Sequence, residues 1–365
     1  MPLHSDIVAS MECIAPLSLQ EKWDNSGWQV GDPSQECKGV LLAVEATEAT
    51  IQEAIACGAN LLITHHPILF HPLKKISTYS YQERSVALAI KNDIAIYAAH
   101  TNVDNATLGI NKRLADRLNL QNTRSLVPLL GQLYKLVVML PPEALEEVEQ
   151  ALVLSGAGRL GNYDHCFFRT EGVGSFRPLE GANPYSGKRG EIHRTEEVAL
   201  QVLVPQPILS NVLKALYNAH PYEEPAFDII PLANKDPHIG SGIVGELATP
   251  ITEEEMFALL RGFDKVERVA YSRPLGKPIR KVALCGGSGG SFLSNAIASG
   301  ADIYITGEAK YNDFLDAQGH ILLATIGHFE SEAIFCSLCK EHILSNFANF
   351  VVQIAKSDFN PVNYL

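Results

Sequence analysis

The chain has 365 residues, 46% hydrophobic and 19% charged, with no low-complexity stretch; this is a protein of two or three packed domains, not a disordered one. A formal charge of −12 argues against a general nucleic-acid binder, which needs a basic surface, and against anionic membranes. No apolar run is long enough to span a bilayer, MPLHSDIVAS lacks the basic-then-apolar order of a signal peptide and is read as a mature start, and seven cysteines without an export signal indicate a cytoplasmic location.

From the N-terminus, the strand GVLLAVEAT leads into a helix, TIQEAIACGAN, and then the strand LLITHHP. A helix at YQERSVALAIKN precedes the strand IAIYAAHTNVD, and GINKRLADRLNL closes this segment as a helix. Short apolar runs separated by helix-periodic stretches are βαβ units, so residues 1–130 are expected to form an α/β fold with a parallel or mixed sheet. A different segment follows. KLVVMLPPEALEEVEQAL (135–152) and LQVLVPQPILSNVLKAL (200–216) each run from a strand through proline into a helix, with Leu145, Val148 and Leu152 matching Leu209, Val212 and Leu216. With further strands at NYDHCFF and AFDIIPL, and a loop GVGSFRPLEGANPYSGKRG, they predict an inserted ferredoxin-like α+β domain over 131–235. Residues 236–365 return to alternation: KVALCGG, a helix through FLSNAIASG, the strand DIYITGE, a helix through NDFLDAQG, the strand ILLATIG, and a long helix from SEAIFCSLCKEH. Cys336 and Cys339, one turn apart in that helix without a second pair, are read as core packing in preference to a redox or zinc motif.

The outer segments contain a repeat. AIACGANLLIT (54–64) aligns without gaps on AIASGADIYIT (296–306), with seven of eleven positions identical, so the larger domain is read as two duplicated α/β halves. Gly58 and Gly300 then share the task of ending a helix in a left-handed conformation. The alignment sets His65 and His66 opposite Gly307 and Glu308.

Chemistry-bearing residues gather where strands end, the edge at which open α/β sheets bind ligands. LLIT ends in His65-His66-Pro67; neighbours on a strand point to opposite faces, so both imidazoles serve one site only if the chain turns there. AIYAA ends in His100, with Asp104 four residues on, and ILLATI ends in Gly327-His328, with Glu332 one helical turn later. Each motif alone fits a turn or a surface pair; three strand ends carrying imidazoles and carboxylates point to metal. Histidines with carboxylates suit zinc, iron, manganese, cobalt or nickel rather than calcium, with zinc the leading choice. Five such residues can hold two divalent ions and leave positions open for a substrate.

WDNSGWQVGD (23–32), LLITHHP, HTNVD, DIYITGE and GHFESE together resemble the Nif-three-like dinuclear metal centre family, the GTP cyclohydrolase I type 2 homologues. The resemblance covers nearly the whole chain, and GVGSFRP, GANPYSG and HPYEEPAFDI resemble the central domain of its longer bacterial members. It implies two metal ions held by His65, His66, Asp104, His328 and Glu332, a PII/CutA-like insertion, and a homohexamer built as a trimer of dimers. It also implies a metal-dependent hydrolase acting on GTP or a related small molecule. His100 and Glu308 stand at strand ends suited to an acid or base. After TGE many relatives carry a histidine within a few residues, whereas this chain reads Lys310-Tyr311-Asn312-Asp313. The alternative reading is a non-enzymatic metal-binding or regulatory ring whose insertion senses a small molecule.

Overall fold

The computed structural model describes residues 1–364. The chain divides into two compact units: Met1–Pro128 together with the residues from Pro237 onward, and Leu129–Asp236. The first part of the larger unit comprises α1 (His4–Ile14), β1 (Gly27–Val30), β2 (Val40–Ala43), α2 (Glu48–Cys57), β3 (Leu61–Thr64), α3 (Tyr81–Lys91), β4 (Ala95–Ala98), α4 (Thr101–Asp104), α5 (Ile110–Arg117) and β5 (Gln121–Pro128). The smaller unit contains β6 (Leu133–Leu140), α6 (Leu145–Leu154), β7 (Phe167–Phe176), β8 (His193–Pro205), α7 (Leu209–Ala219) and β9 (Ala226–Pro231). The larger unit resumes with β10 (Gly240–Ile251), α8 (Glu253–Arg261), β11 (Ala270–Tyr271), β12 (Ile279–Cys285), α9 (Leu293–Ala298), β13 (Ile303–Thr306), α10 (Tyr311–Asp316), β14 (Leu322–Thr325), α11 (His328–Glu332), α12 (Ile334–Asn346) and β15 (Val352–Ile354).

The larger unit holds two mixed sheets, ordered β1-β4-β3-β2-β15 and β11-β14-β13-β12-β10-β5. In each, three consecutive parallel strands form the centre, in register at Ala43–Thr64–Ala98 and Cys285–Thr306–Thr325, and a short antiparallel strand closes one edge. VLLA, LLIT, AIYA and IYIT are buried at every residue, because helices or loops cover both faces of a parallel sheet. The halves also exchange strands: β15, after α12, pairs with β2 of the first sheet, while β5 pairs with β10 in the second. The antiparallel β5–β10 pair and β15 are not evident in the sequence, since their partners are distant in the chain. The repeat itself is structural: α2 starts on a Thr47 capping box and ends at Gly58 with φ 75°, and Gly300 follows α9 with φ 73°. Neither glycine has an atom within 4 Å of where a Cβ would stand, so backbone conformation, not space, selects glycine. Cys336 and Cys339 lie buried in α12, with burial pushing the Cys336 thiol up to about 12 and Cys339 higher than its ordinary value. That is packing.

The smaller unit runs β6-α6-β7-β8-α7-β9 with an antiparallel sheet ordered β7-β8-β6-β9, the split βαβ arrangement. Val148 and Leu152 of α6 and Val212 and Leu216 of α7 are fully buried against Leu136, Val138, Leu200 and Val204, so the matched offsets are the two helices' core faces. Two details of the sequence reading change. Strand β7 begins only at Phe167, leaving NYDHC outside it, and continues through GVGSF, where pairing with β8 overrides the low strand propensity of glycine. Among the described residues no helix is long and apolar enough to cross a membrane.

Candidate metal centre

The first two imidazoles reach one side because the chain turns as β3 ends. Thr64 Oγ1 donates to the His66 carbonyl at 2.9 Å, and the His65 and His66 rings lie 4.9 Å apart at a 40° tilt. His65 is fully buried, with Nδ1 2.8 Å from the Ala99 carbonyl; that acceptor keeps the proton on Nδ1 and frees Nε2. His66 is held in the same way, Nδ1 lying 2.7 Å from Glu45 Oε1. At the start of α11, His328 Nδ1 is 3.3 Å from Glu308 Oε2. His100, just past β4, has Nδ1 2.7 Å from Asp24 Oδ1. Four imidazoles thus have Nδ1 set against an acceptor, the arrangement that fixes a metal-ligating histidine's tautomer and orientation.

The Nε2 atoms of His65, His66 and His328 converge on Glu332. His65 Nε2 lies 3.5 Å from Glu332 Oε1, and His66 and His328 Nε2 lie 3.0 and 3.2 Å from Glu332 Oε2. Asp104 Oδ2 stands 3.9 Å from His65 Nε2. Glu332 and His328 share a helical face, as their four-residue spacing requires. Among the described residues, two groups could hold a metal ion: His65, His66 and His100, and His66, His328 and Glu332. The sequence-derived ligands therefore gather in one place, Asp104 more loosely than the rest, and His100 stands among them. Glu308 lies at the rim, its side chain 57% exposed.

The donor set fits a divalent cation on a direct observation. His65 Nε2 and Glu332 Oε2 are buried without a hydrogen-bond partner: the imidazoles approach Glu332 at ion-pair distance but not in hydrogen-bonding alignment. Buried polar atoms left this way are costly unless something else binds them. Protonation states carry the same strain. Burial pushes the Asp104 carboxyl up to about 6, with Glu332 adding to the rise and His65 opposing it. Burial lowers the His328 imidazole, but the Glu332 carboxylate more than reverses this, to about 9. Burial would raise Glu332, yet His65, His328 and His66 hold it well below the ordinary carboxylate range. A cation replacing imidazole protons satisfies all of these groups together.

Sequence reasoning did not single out Glu45, Ser331 or Gly287. Glu45 follows β2 at the same sheet edge, which was the available signal. Gly287 has φ 61°, a Cβ there would overlap Glu332 Oε1, and its N–H donates to Ser331 Oγ at 2.9 Å. Asp24 belongs to the WDNSGW motif, and its side chain is shielded from solvent. It accepts from Asn25 N, Ser26 Oγ, Thr101 N and Thr101 Oγ1, and these bonds with His100 hold it far below its ordinary value despite burial. Trp23 and Phe70, both exposed, stand edge-on about the His100 ring at centroid distances of 6.2 Å. Asn25 Nδ2 ties this motif to the Leu69 carbonyl at 2.8 Å.

Comparison with known proteins gives consistent results. A family model described as Duf34/NIF3 (NGG1p interacting factor 3) matches residues 2–362. A Bacillus subtilis protein called GTP cyclohydrolase 1 type 2 homolog is 35% identical over 98% of both chains, and one of the same description from Halalkalibacterium halodurans is 39% identical over 84% of this chain and 82% of its own. The crystal structure of a Bacillus cereus protein related to NIF3 superposes with a TM-score of 0.87 at 36% identity, covering 100% of this chain and 99% of that one.

Proposed function

The chain belongs to the Duf34/NIF3 family, and from that premise we propose that it is a dinuclear metal protein and a metal-dependent hydrolase of the GTP cyclohydrolase I type 2 kind. The observation that carries this reading is the set of imidazoles held through Nδ1 and converging through Nε2 on the buried Glu332. His65, His66, Asp104, His328 and Glu332 would hold two divalent ions, zinc first among the candidates, with the Glu332 carboxylate standing among the three imidazoles. Bound ions would supply Lewis-acid charge to a polarised bond and to an attacking water. The remaining chemistry belongs to the chain. With Nδ1 on Asp24, His100 offers Nε2 to take a proton from the water that attacks the purine C8 and to pass it to the ring nitrogen released as its bond to C8 breaks; Asp24 orients the ring. Glu308 at the rim is a second proton carrier, open to solvent. Trp23 and Phe70 present exposed aromatic surface beside His100, which suits a purine or similar flat base.

The same reading takes the smaller unit as a PII/CutA-like insertion, the assembly as a homohexamer, and the location as cytoplasmic, the last in keeping with seven unpaired cysteines. The test loads purified protein with metal, measures stoichiometry, and assays GTP turnover. About two ions per chain with metal-dependent turnover is expected, and Glu332→Ala should lose both. A fully loaded protein that leaves GTP intact removes the substrate assignment; tightly held metal with no hit among phosphoesters and cyclic amidines favours the regulatory ring instead.

A further inference from the structure

Three stretches of the smaller unit play no part in the metal centre: GVGSF at the end of β7, GANPYSG in the loop after it, and HPYEEPA leading into β9. They meet around one cavity of about 310 Å³, at the lower edge of the range for small-molecule pockets. Phe176, Tyr185 and Tyr222 supply aromatic surface, Glu197, Glu223 and Glu224 supply carboxylates, and no lysine or arginine lines it.

The wall is built, not incidental. The Tyr185 and Tyr222 rings stand 5.6 Å apart at 45°. Tyr222 Oη donates to Glu197 Oε1 at 3.0 Å and Tyr185 Oη to Glu143 Oε1 at 3.2 Å, so each phenol leans on a negative charge that enriches its ring. His220 fixes the Tyr222 backbone: its Nδ1 accepts the Tyr222 N–H at 3.1 Å while Nε2 lies 3.0 Å from the Met139 carbonyl. Both Glu223 oxygens accept the Asn183 N–H at 3.0 Å, folding the glycine-rich loop over the cavity. Gly174 leaves the space that Glu197 occupies, since a Cβ there would overlap Glu197 Oε2.

We propose that this cavity binds an organic cation, an alkylated ammonium head on a short chain. Electron-rich ring faces and carboxylates that form no ion pair among the described residues attract such a group together, whereas either feature alone would fit many ligands. Anions are repelled by the carboxylates. A bare divalent ion is poorly served, because these carboxylates are engaged with Tyr222 and Asn183, and among the described residues no group of potential metal ligands forms here.

Calorimetric titration of the full-length, metal-loaded protein with choline and with tetramethylammonium tests the proposal, 3,3-dimethylbutan-1-ol serving as the uncharged isostere of choline. Saturable binding of the cations, with the isostere weaker by about tenfold or more, is expected. Tyr185→Leu alters an exposed loop residue and Glu197→Gln keeps an acceptor for Tyr222; each should weaken choline binding by about tenfold while metal content and thermal midpoint hold. Absence of saturable binding by the unaltered protein, equal affinity for the isostere, displacement of choline by millimolar magnesium, or unchanged binding in both variants overturns the assignment.

Discussion

In the first half of the larger unit, β3 runs on through Thr64 into His65 and His66; in the second, β13 runs on through Thr306 into Gly307 and Glu308. Strand register extends the correspondence. Glu45, which holds His66, matches Gly287, and His100 matches Gly327. One half therefore sends side chains from its strand ends, while the other places glycines at three of the four matched positions, keeps Glu308 at the fourth, and supplies His328 and Glu332 from the short helix that follows. The glycines make room: a Cβ on Gly287 would overlap Glu332, and one on Gly307 would lie 2.6 Å from both the Gly287 carbonyl and Ser331 Oγ. Two copies of one backbone plan can share a single site only if one copy vacates what the other fills.

The sharpest challenge to this division compares Glu332 with Glu308, the counterpart of His66. Glu332→Ala should cut bound metal to below about a tenth of the unaltered level, because it removes the carboxylate common to His65, His66 and His328, whereas Glu308→Ala should retain most of it. Equal losses by metal analysis would break the comparison. Next come the matched positions 45 and 287. Gly287→Ala should weaken metal binding by about a hundredfold in a chelator competition, through displacement of Glu332, and Glu45→Gln by about tenfold, through a weaker hold on His66. Should GTP prove to be turned over, Asp24→Asn is expected to slow it by about a hundredfold, with metal content unchanged.

The smallest effect concerns Asn60 and Asp302, matched in the repeat. Asn60 accepts from Lys38 N and donates to the Glu36 carbonyl, so only an amide serves; Asp302 accepts from Arg280 N and Lys281 N beside Lys277. Burial pushes the Asp302 carboxyl up, but those N–H groups and Lys277 bring it below its ordinary value. Its contribution is therefore full above the ordinary carboxylate pKa and fades as pH falls through the lowered one. Asn60→Asp and Asp302→Asn should each cost about 1 kcal/mol at neutral pH by denaturant unfolding. Asp302→Asn should flatten the acid side of the stability curve by removing a group that loses stability there, and Asn60→Asp should recover its cost at acid pH, where a protonated carboxyl can again donate to the Glu36 carbonyl.

Much of this was legible in the chain. The parallel strands announced themselves as short, wholly apolar runs, and the duplicated AIA-x-GA segment marked corresponding strand ends. The five proposed ligands were nameable because they sit at those ends. What was hidden depends on partners far away in sequence: β5 on β10, β15 on β2, and Glu45 against His66. His100 showed its imidazole but not its hold on Asp24, since that bond joins residues 76 positions apart.

The junction of the smaller unit has a consequence for how the chain acquires its structure. In the host, Pro128 lies opposite Gly240, and the Ser125 N–H reaches the Pro237 carbonyl at 2.7 Å. In the guest, Tyr134 lies opposite Pro231, and the Leu232 N–H reaches the Leu133 carbonyl at 2.9 Å. Both ends of the guest are already side by side once it has folded. During synthesis it emerges before β10, so its early folding would turn a connection of about a hundred residues into one of about ten. That lowers the entropic barrier to joining β5 with β10 by about 2 kcal/mol. A domain interrupting its host in sequence can in this way hasten the host's own closure.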